Sequence, residues 1–300
     1  MFKHILVPLD GSKLAEAALP AAASLAVTLG ASVTLLHVIE QDAPEEVHKD
    51  RHLTESKEAR AYLTAIAKNA FPPGVKVNRH VHTAAVKDVV HSIIFHAEKE
   101  IQPDLIVLCS HGRSGMRDLV SSSIAQQVVA ESTIPVLLIK PGGTGSSAFR
   151  LQKILVPLDN ESIHDASLPY AEDLARAYRA ELEIICVIPT LGTLSGERAA
   201  AGSMLPTTAA LYLDMKEENA RQHFQGHLDE FNKKNIRASA QIARGDPVAV
   251  IAKTAEEIEA DVIVFGTHGN AGLDAFWRGS VAANVARRTG IPLLLVPLPE

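Results

Sequence analysis

The chain has little with which to staple, anchor or charge itself. Its 300 residues include two cysteines, one tryptophan and an aromatic share of only 4%. Two cysteines cannot build a disulfide framework. They lie one in each half, in the apolar runs Leu108-Cys109 and Ile185-Cys186. Buried thiols in a reducing compartment are the expectation, with the cytoplasm as location. No apolar run approaches the ~18 residues of a membrane span, so a membrane is not an expected partner. The opening Met1-Phe2-Lys3-His4 leads straight into strand-like sequence, without the graded regions of a signal peptide. A basic surplus is also missing: 29 Lys and Arg stand against 35 Asp and Glu, a net charge of -6. That balance argues against nucleic acid, whose phosphates require a basic face. The chain further lacks the Gly-Lys-Ser/Thr ending of a P-loop and the Gly-x-Gly-x-x-Gly of a dinucleotide site.

What is present is an alternation of strands and helices. Residues 4–9, His-Ile-Leu-Val-Pro-Leu, form an apolar run that stops at Asp10-Gly11. An Ala-rich helix is predicted from Leu14 to Leu29, kinked at Pro20 and closed by Gly30. Ser32–Ile39 reads as a second strand, and residues 41–52 as a solvated connection. A helix then carries the stripe Ala59, Leu63, Ile66, Ala70. The alternation of Val75, Val77, Arg79 and Val81 predicts an edge-lying third strand. Val86–Glu100 reads as a helix, Asp104–Cys109 as a fourth strand, about Ser123–Glu131 as a helix and Pro135–Ile139 as a fifth strand. Continuous apolar strands separated by helices predict a parallel sheet covered on both faces. Pro141–Ser147, rich in Gly and Ser, reads as a flexible linker.

The pattern then starts again. Ile154-Leu-Val-Pro-Leu-Asp159 repeats Ile5-Leu-Val-Pro-Leu-Asp10, Leu168-Pro169 repeats Leu19-Pro20, and Val187-Ile188 repeats Val38-Ile39. Asp261-Val-Ile-Val repeats Asp104-Leu-Ile-Val, and Ile291-Pro292 repeats Ile134-Pro135. This is a duplication of a unit of about 145 residues, one domain in size. The expected division is 1–141, a linker over 142–151, and 152–300. The second copy has an insertion, Thr190–Pro206, that reads as a mobile flap. A helix with the stripe Ala220, Phe224, Leu228, Phe231 follows it.

Ligands of open parallel sheets bind at the carboxyl ends of the strands, where the strand order reverses. In the second half Asp159, Val187 and the loop from Gly266 to Ser280 reach that edge. An acidic residue there can accept from ribose hydroxyls, and a glycine loop ending at a helix N-terminus can hold phosphate. The spacing Gly266-x2-Gly269-x9-Gly279-Ser280, the Ile-Leu-Val-Pro-Leu-Asp opening and Gly245-Asp246-Pro247 resemble the universal stress proteins, of the adenine nucleotide alpha-hydrolase-like superfamily. The resemblance covers both halves.

It implies two tandem Rossmann-like α/β domains, each a five-stranded parallel sheet of order 3-2-1-4-5 flanked by helices. It also implies ATP as ligand, with Mg2+ where the phosphates need it, and a regulatory or stress-response role. Carried over residue by residue, Asp159 meets the ribose or adenine, the Val187 backbone meets adenine, and Pro157 belongs to the nucleotide-binding set. Gly266 lies under the ribose. Gly269, Gly279, Ser280 and Val281 hold phosphate, with His268 beside them. The first half departs from this pattern: Cys109 and Ser122 stand in place of the first and third glycines, while Asp10, Val38, Gly112 and Ser123 remain. It is expected to bind nucleotide weakly or not at all. Single-domain relatives pair into dimers, so the resemblance implies an intramolecular pseudo-dimer of the two halves, with the last strands near each other. Further homodimerisation stays open.

Bland readings stand beside these. Asp after a strand commonly just forms a turn. The pairs His80-x-His82 and His223-x3-His227 lack the Glu of a zinc-protease motif and read as surface histidines, so no metal site is expected. The cysteines read as small core residues. No general base or arginine finger stands out, which limits turnover to slow ATP hydrolysis at most. An ATP-binding regulator, a slow ATP hydrolase and a ligand-free interaction module working through its dimer surface all remain open.

Overall fold

In the computed structural model, the described residues are 2–47, 50–110, 124–145, 149–159, 161–194, 196–267 and 280–299. They gather into two compact units. The first holds residues up to Arg150 together with Gly290–Pro297; the second holds Leu151–Thr267, residues 280–289 and those from Leu298 onward.

In the first unit the strands are β1 (His4–Pro8), β2 (Ser32–Glu40), the short β3 (Glu46–Val47) and β4 (Asp50–Arg51), β5 (Val77–Val86), β6 (Leu105–Cys109) and β7 (Val136–Ile139). The main sheet runs β5-β2-β1-β6-β7, all parallel. Strand Leu293–Pro297 adds to its β7 edge in antiparallel register, with Leu294 opposite Leu137. Ile5, Leu6 and Val7 in succession are fully buried. Three neighbours pointing alternately to opposite faces can all be buried only if both faces are covered. The helices α1 (Lys13–Glu16), α2 (Leu19–Leu29), α3 (Ser56–Ala70), α4 (Val89–Phe95) and α5 (Ile124–Glu131) provide that cover.

The second unit repeats the plan with β8 (Lys153–Pro157), β9 (Glu181–Ile188), β10 (Ala238–Arg244) and β11 (Val262–Thr267). Their order is β10-β9-β8-β11, with parallel pairing along β10-β9-β8-β11. Its helices are α6 (Leu168–Tyr178), α7 (Gly196–Met204), α8 (Pro206–Lys233), α9 (Pro247–Glu257) and α10 (Val281–Arg288). The strand Leu293–Pro297, numbered β12, closes the series. The family fold implied by the sequence, parallel α/β sheets in two copies, is therefore present.

Several local expectations are corrected. Pro20 does not kink a helix. The chain makes a short α1, breaks, and restarts with Pro20 in the first turn of α2, where its missing N–H has no intrahelical partner to lose. Val86 ends β5. The helix begins only after Asp88, whose side chain accepts from His91 N at 2.8 Å, and passes into a π-helical turn over His96–Ile101. The 190–206 insertion holds a 3-10 turn at Leu191–Thr193 and helix α7 rather than an irregular flap. Its Ala-rich sequence suits that helix. Residues 41–52 are no plain solvated connection: β3 and β4 pair in antiparallel fashion and His52 is buried. Two glycines of the stretch after β7 are closely packed, too. A Cβ on Gly143 would lie 2.3 Å from Gly290 O, and one on Gly145 would lie 2.7 Å from Pro292 Cγ. Those glycines serve close approach rather than looseness.

One duplicated residue holds each sheet at its amino end. Asp104 accepts from Lys3 N at 2.7 Å and His4 N at 3.0 Å. Asp261 accepts from Gln152 N at 2.6 Å and Lys153 N at 2.9 Å. A carboxylate taking two backbone donors fixes the start of the central strand against its neighbour. Replacing Asp104 or Asp261 with Ala should lower unfolding free energy by about 1.5–3 kcal/mol, the range for hydrogen bonds to a charged group. Urea unfolding followed by circular dichroism measures it. A loss below about 0.5 kcal/mol in both variants would show that water replaces the carboxylate at no cost.

Candidate functional site

The order β9-β8-β11 places the reversal of strand order between β8 and β11. The sequence opens a mouth there. Leu158 N donates to Ile185 O of β9 at 2.9 Å. Backbone donors alternate sides along a strand, so the preceding position, Pro157, turns its nitrogen toward β11. Proline has no N–H to give. Pairing of β8 with β11 accordingly reaches only Leu155, which faces Ile263, while pairing with β9 continues to Pro157. The first unit does the same: Leu9 N donates to Leu36 O, Pro8 faces the other way, and β1–β6 pairing stops at Leu6. In each copy the central strand and its fourth-strand neighbour part at their carboxyl ends.

Asp159 follows this mouth in the second unit. It is exposed; its Oδ1 accepts from Glu161 N at 2.9 Å and meets His164 Nδ1 at 2.7 Å. The turn-forming role is thus realised, and it leaves the carboxylate at the sheet edge. Pro157 is buried, whereas Val187 is half-buried near the end of β9, opposite Ala243. Gly266 lies in β11. A Cβ there would stand 2.7 Å from Leu298 Cδ2 and 3.4 Å from His164 O, so a side chain at 266 would have to displace the tip of Leu298. Ser280 is the N-cap of α10: its Oγ accepts from Ala283 N at 3.0 Å, and the helix opens with a partly exposed Val281. A helix that follows a strand across a parallel sheet begins at the strand's carboxyl edge, so the positive end of α10 belongs to the same edge. His268, Gly269 and Gly279 lie outside the described residues.

The first unit's edge is built differently. Asp10 Oδ1 accepts from both the amide and the hydroxyl of Ser12, at 2.9 and 2.7 Å. Val38 is buried in β2. Gly11 has φ +94, and the Leu53 side chain packs 2.8 Å from where a Cβ would stand. Asp50 accepts from Lys13 N at 2.8 Å. His37, buried in β2, meets Leu9 O at 2.7 Å and Leu53 O at 3.1 Å through its two ring nitrogens. The β3–β4 segment therefore folds back over the start of the Asp10 turn, with His37 as the clamp, a role that spacing alone does not disclose. Cys109 stands where the second unit has Gly266; it is half-buried and its thiol points at Ser110 O. Ser110 Oγ is buried with no hydrogen-bond partner among the described residues. Gly112, Ser122 and Ser123 lie outside them.

The histidines depart from a scattered surface set. His80 and His82, on one face of β5, approach His96 of the π-helical turn, with ring centroids 4.5 and 4.8 Å from it. His96 is buried. Its Nδ1 meets Glu100 at 2.7 Å and its Nε2 meets His82 Nδ1 at 2.9 Å. Burial, then the neighbouring His96, holds the His80 pKa below its ordinary value. In the second unit His223 and His227 meet Asp165.

Two open parallel α/β units, each parted at the switch point beside an aspartate, define a duplicated protein of the Rossmann-like class. The universal stress protein family model matches residues 1–140 and 150–297, so the chain belongs to the universal stress protein family. It is 30% identical over 152 residues to the universal stress protein YxiE of Bacillus subtilis, covering 47% of this chain and all of that one. It is 23% identical over 314 residues to a universal stress protein of Mycolicibacterium smegmatis, covering 97% and 96% of the two chains. The solved universal stress protein of Archaeoglobus fulgidus superposes with a TM-score of 0.69 at 21% identity, covering 99% of this chain and 97% of that one.

Both thiols lie near a switch-point aspartate. Burial pushes each pKa up to about 12, with Asp10 adding to the shift at Cys109 and Asp159 at Cys186. Only on the order of 1 in 10,000 would be thiolate at pH 8, which argues against a nucleophilic role. Native protein at pH 8 should react with a disulfide reagent far more slowly than urea-unfolded protein, and a fast native phase would refute this. Linkage gives the sign for stability. Folding keeps these thiols protonated, so their contribution holds below the unfolded pKa of about 9 and is lost as pH rises toward 12. The double variant Cys109→Ala, Cys186→Ala should therefore lose less stability than the parent between pH 9 and 11.

Proposed function

We propose that the chain is an ATP-binding universal stress protein with a regulatory or stress-response role, its nucleotide held mainly by the second repeat. The observation that carries this reading is the parted mouth of β8 and β11, with Asp159 at its end and Ser280 capping the helix that follows. Asp159 takes the ribose hydroxyls and the Val187 backbone reads the adenine edge. Gly266 leaves the approach to the ribose low. Gly269, Gly279, Ser280 and the Val281 N–H hold the phosphates, with His268 beside them and Mg2+ neutralising the remaining charge. The first repeat supports this binding rather than sharing it. Cys109 fills the glycine position, and Leu53 lies over Gly11. The domains are assigned to residues 1–141 and 152–300, joined by 142–151, and the two repeats supply within one chain the pair that single-domain relatives form as dimers. ATP acts here as a bound effector, with turnover slow or absent.

Mass spectrometry of small molecules released from the purified, denatured chain should recover about one ATP or ADP per chain. Two would overturn the assignment to one repeat, and none, with no binding on titration in Mg2+, would favour a ligand-free module. Gly279→Val should abolish retained nucleotide while leaving the circular dichroism spectrum unchanged, because a side chain there blocks backbone approach to phosphate. Pro157→Val restores a donor facing β11 and should weaken ATP binding at least tenfold, about 1.4 kcal/mol. Wild-type affinity in both variants would remove the pocket from this edge.

A further inference from the structure

A second constellation in the second unit uses none of the residues assigned to nucleotide. Helix α8 runs unbroken from Pro206 to Lys233, so His223 and His227, four residues apart, share one face. Phe224, buried between them, and Ala220, fully buried one turn earlier, fix the rotation of that face. Opposite stands Asp165, in the 3-10 turn Ser162–Ser167, more than fifty residues earlier in the chain. That turn is held by His164 N donating to Glu161 O and Ser167 Oγ donating to His164 O, and Leu168 buries its exit. Three donors on two rigid supports converge from opposite sides.

Their atoms form a small triangle. His223 Nε2 is 3.0 Å from Asp165 Oδ2, His227 Nε2 is 3.2 Å from the same oxygen, and the two Nε2 atoms are 3.4 Å apart. A tetrahedral Zn2+ with bonds of about 2.0–2.1 Å separates its donors by roughly 3.3 Å, and wider or narrower angles move that by a few tenths. A single cation can therefore touch all three without rearrangement. The competing account is two neutral imidazoles each donating a proton to Asp165. In that account His223 pairs with Oδ1 at 3.1 Å and His227 with Oδ2 at 3.2 Å, yet the two donor nitrogens stand only 3.4 Å apart, a spacing that a shared cation accounts for. The His96 cluster of the first unit differs: its central ring spends both nitrogens on separate partners, Glu100 and His82, and so is complete as a hydrogen-bonded chain.

We propose that Asp165, His223 and His227 form a binding site for a divalent first-row transition cation, with Zn2+ the ion the donors fit. Two imidazoles and one carboxylate are borderline ligands that suit zinc over the oxygen-seeking Mg2+ and Ca2+. The side chains keep 20–30% exposure, which gives an ion access and leaves a fourth position for water or an outside donor. Bound metal would tie the turn after β8 to α8, two segments joined within this cluster only by the histidine–aspartate pairs.

The test uses the full chain without a histidine tag, stripped by chelator and titrated with Co2+ while its visible d–d absorption is followed, then back-titrated with Zn2+. The parent should develop a low-symmetry Co2+ band that Zn2+ displaces. His223→Ala, His227→Ala and Asp165→Asn should each bind one equivalent fewer than the parent, or bind it at least about 100-fold more weakly. His80→Ala should keep the equivalent assigned to this site. Zn2+ should raise the urea midpoint of the parent more than that of any of the three variants, a readout that also reports whether each variant is folded. No metal uptake by the parent, or His223→Ala and Asp165→Asn matching it in stoichiometry and affinity, overturns the site and leaves the hydrogen-bonded pair as its explanation.

Discussion

A hydrogen bond that cannot form shapes the candidate site in both units. At the carboxyl end of each central strand a proline replaces a residue whose N–H would have continued the ladder to the fourth strand. The chain pairs on one side only, the strands part, and an aspartate two residues on is carried to the opening. The rest of each unit supports that arrangement. Three consecutive fully buried residues anchor the central strand from below, and the carboxylate of Asp104 or Asp261 fixes its start. The strand is thus firmly held at one end and released at the other. A ligand can enter such a sheet edge without paying to break an existing ladder.

The duplication shows what the frame requires and what it leaves free. Both copies keep the buried triplet, the aspartate at the amino end and the proline at the carboxyl end. They differ in what lies over the mouth. In the first unit β2 contributes His37, which clamps Leu53 and with it the β3–β4 segment over Gly11. In the second unit β9 has Cys186 in the corresponding place, and the chain beyond β9 goes instead into α7 and α8. One histidine-to-cysteine difference in a buried strand thus accompanies the loss of the Leu53 clamp that the first unit has.

Much of the frame was legible in the sequence because burial writes itself in runs. Strands covered on both faces read as unbroken apolar stretches, and the repeated Ile-Leu-Val-Pro-Leu-Asp marked both copies. The stripe Ala59, Leu63, Ile66 is buried as its spacing predicts. What failed were features set by partners distant in the chain. Residues 41–52 looked solvated because their charges are visible, whereas what holds them is tertiary: Asp50 accepts from Lys13 N, and Leu53 just beyond them is held by His37 and packs at Gly11. The looseness read into Gly143 was misplaced, because composition does not record that Gly290 O approaches it. The histidine pairs looked like surface residues because Asp165 and His96 lie far from them in sequence. Local patterns predicted local structure, and the chemistry depended on crossings between elements.

The glycine signature shows how far a motif can be trusted. Gly266 fits a ribose approach, yet the tip of Leu298 also crowds that position, at 2.7 Å from where a Cβ would stand. The repeat alignment that equates Ile291-Pro292 with Ile134-Pro135 equates Leu298 with Pro141, and Gly266 with Cys109. One copy thus matches no side chain with a bulky leucine, and the other matches a small thiol with a proline. Packing against Leu298 favours a small residue at 266 whether or not a ligand binds. The glycine at 266 is therefore weak evidence for a nucleotide. The missing ladder bond at Pro157 and the capped start of α10 are stronger, because neither is needed to fill the core.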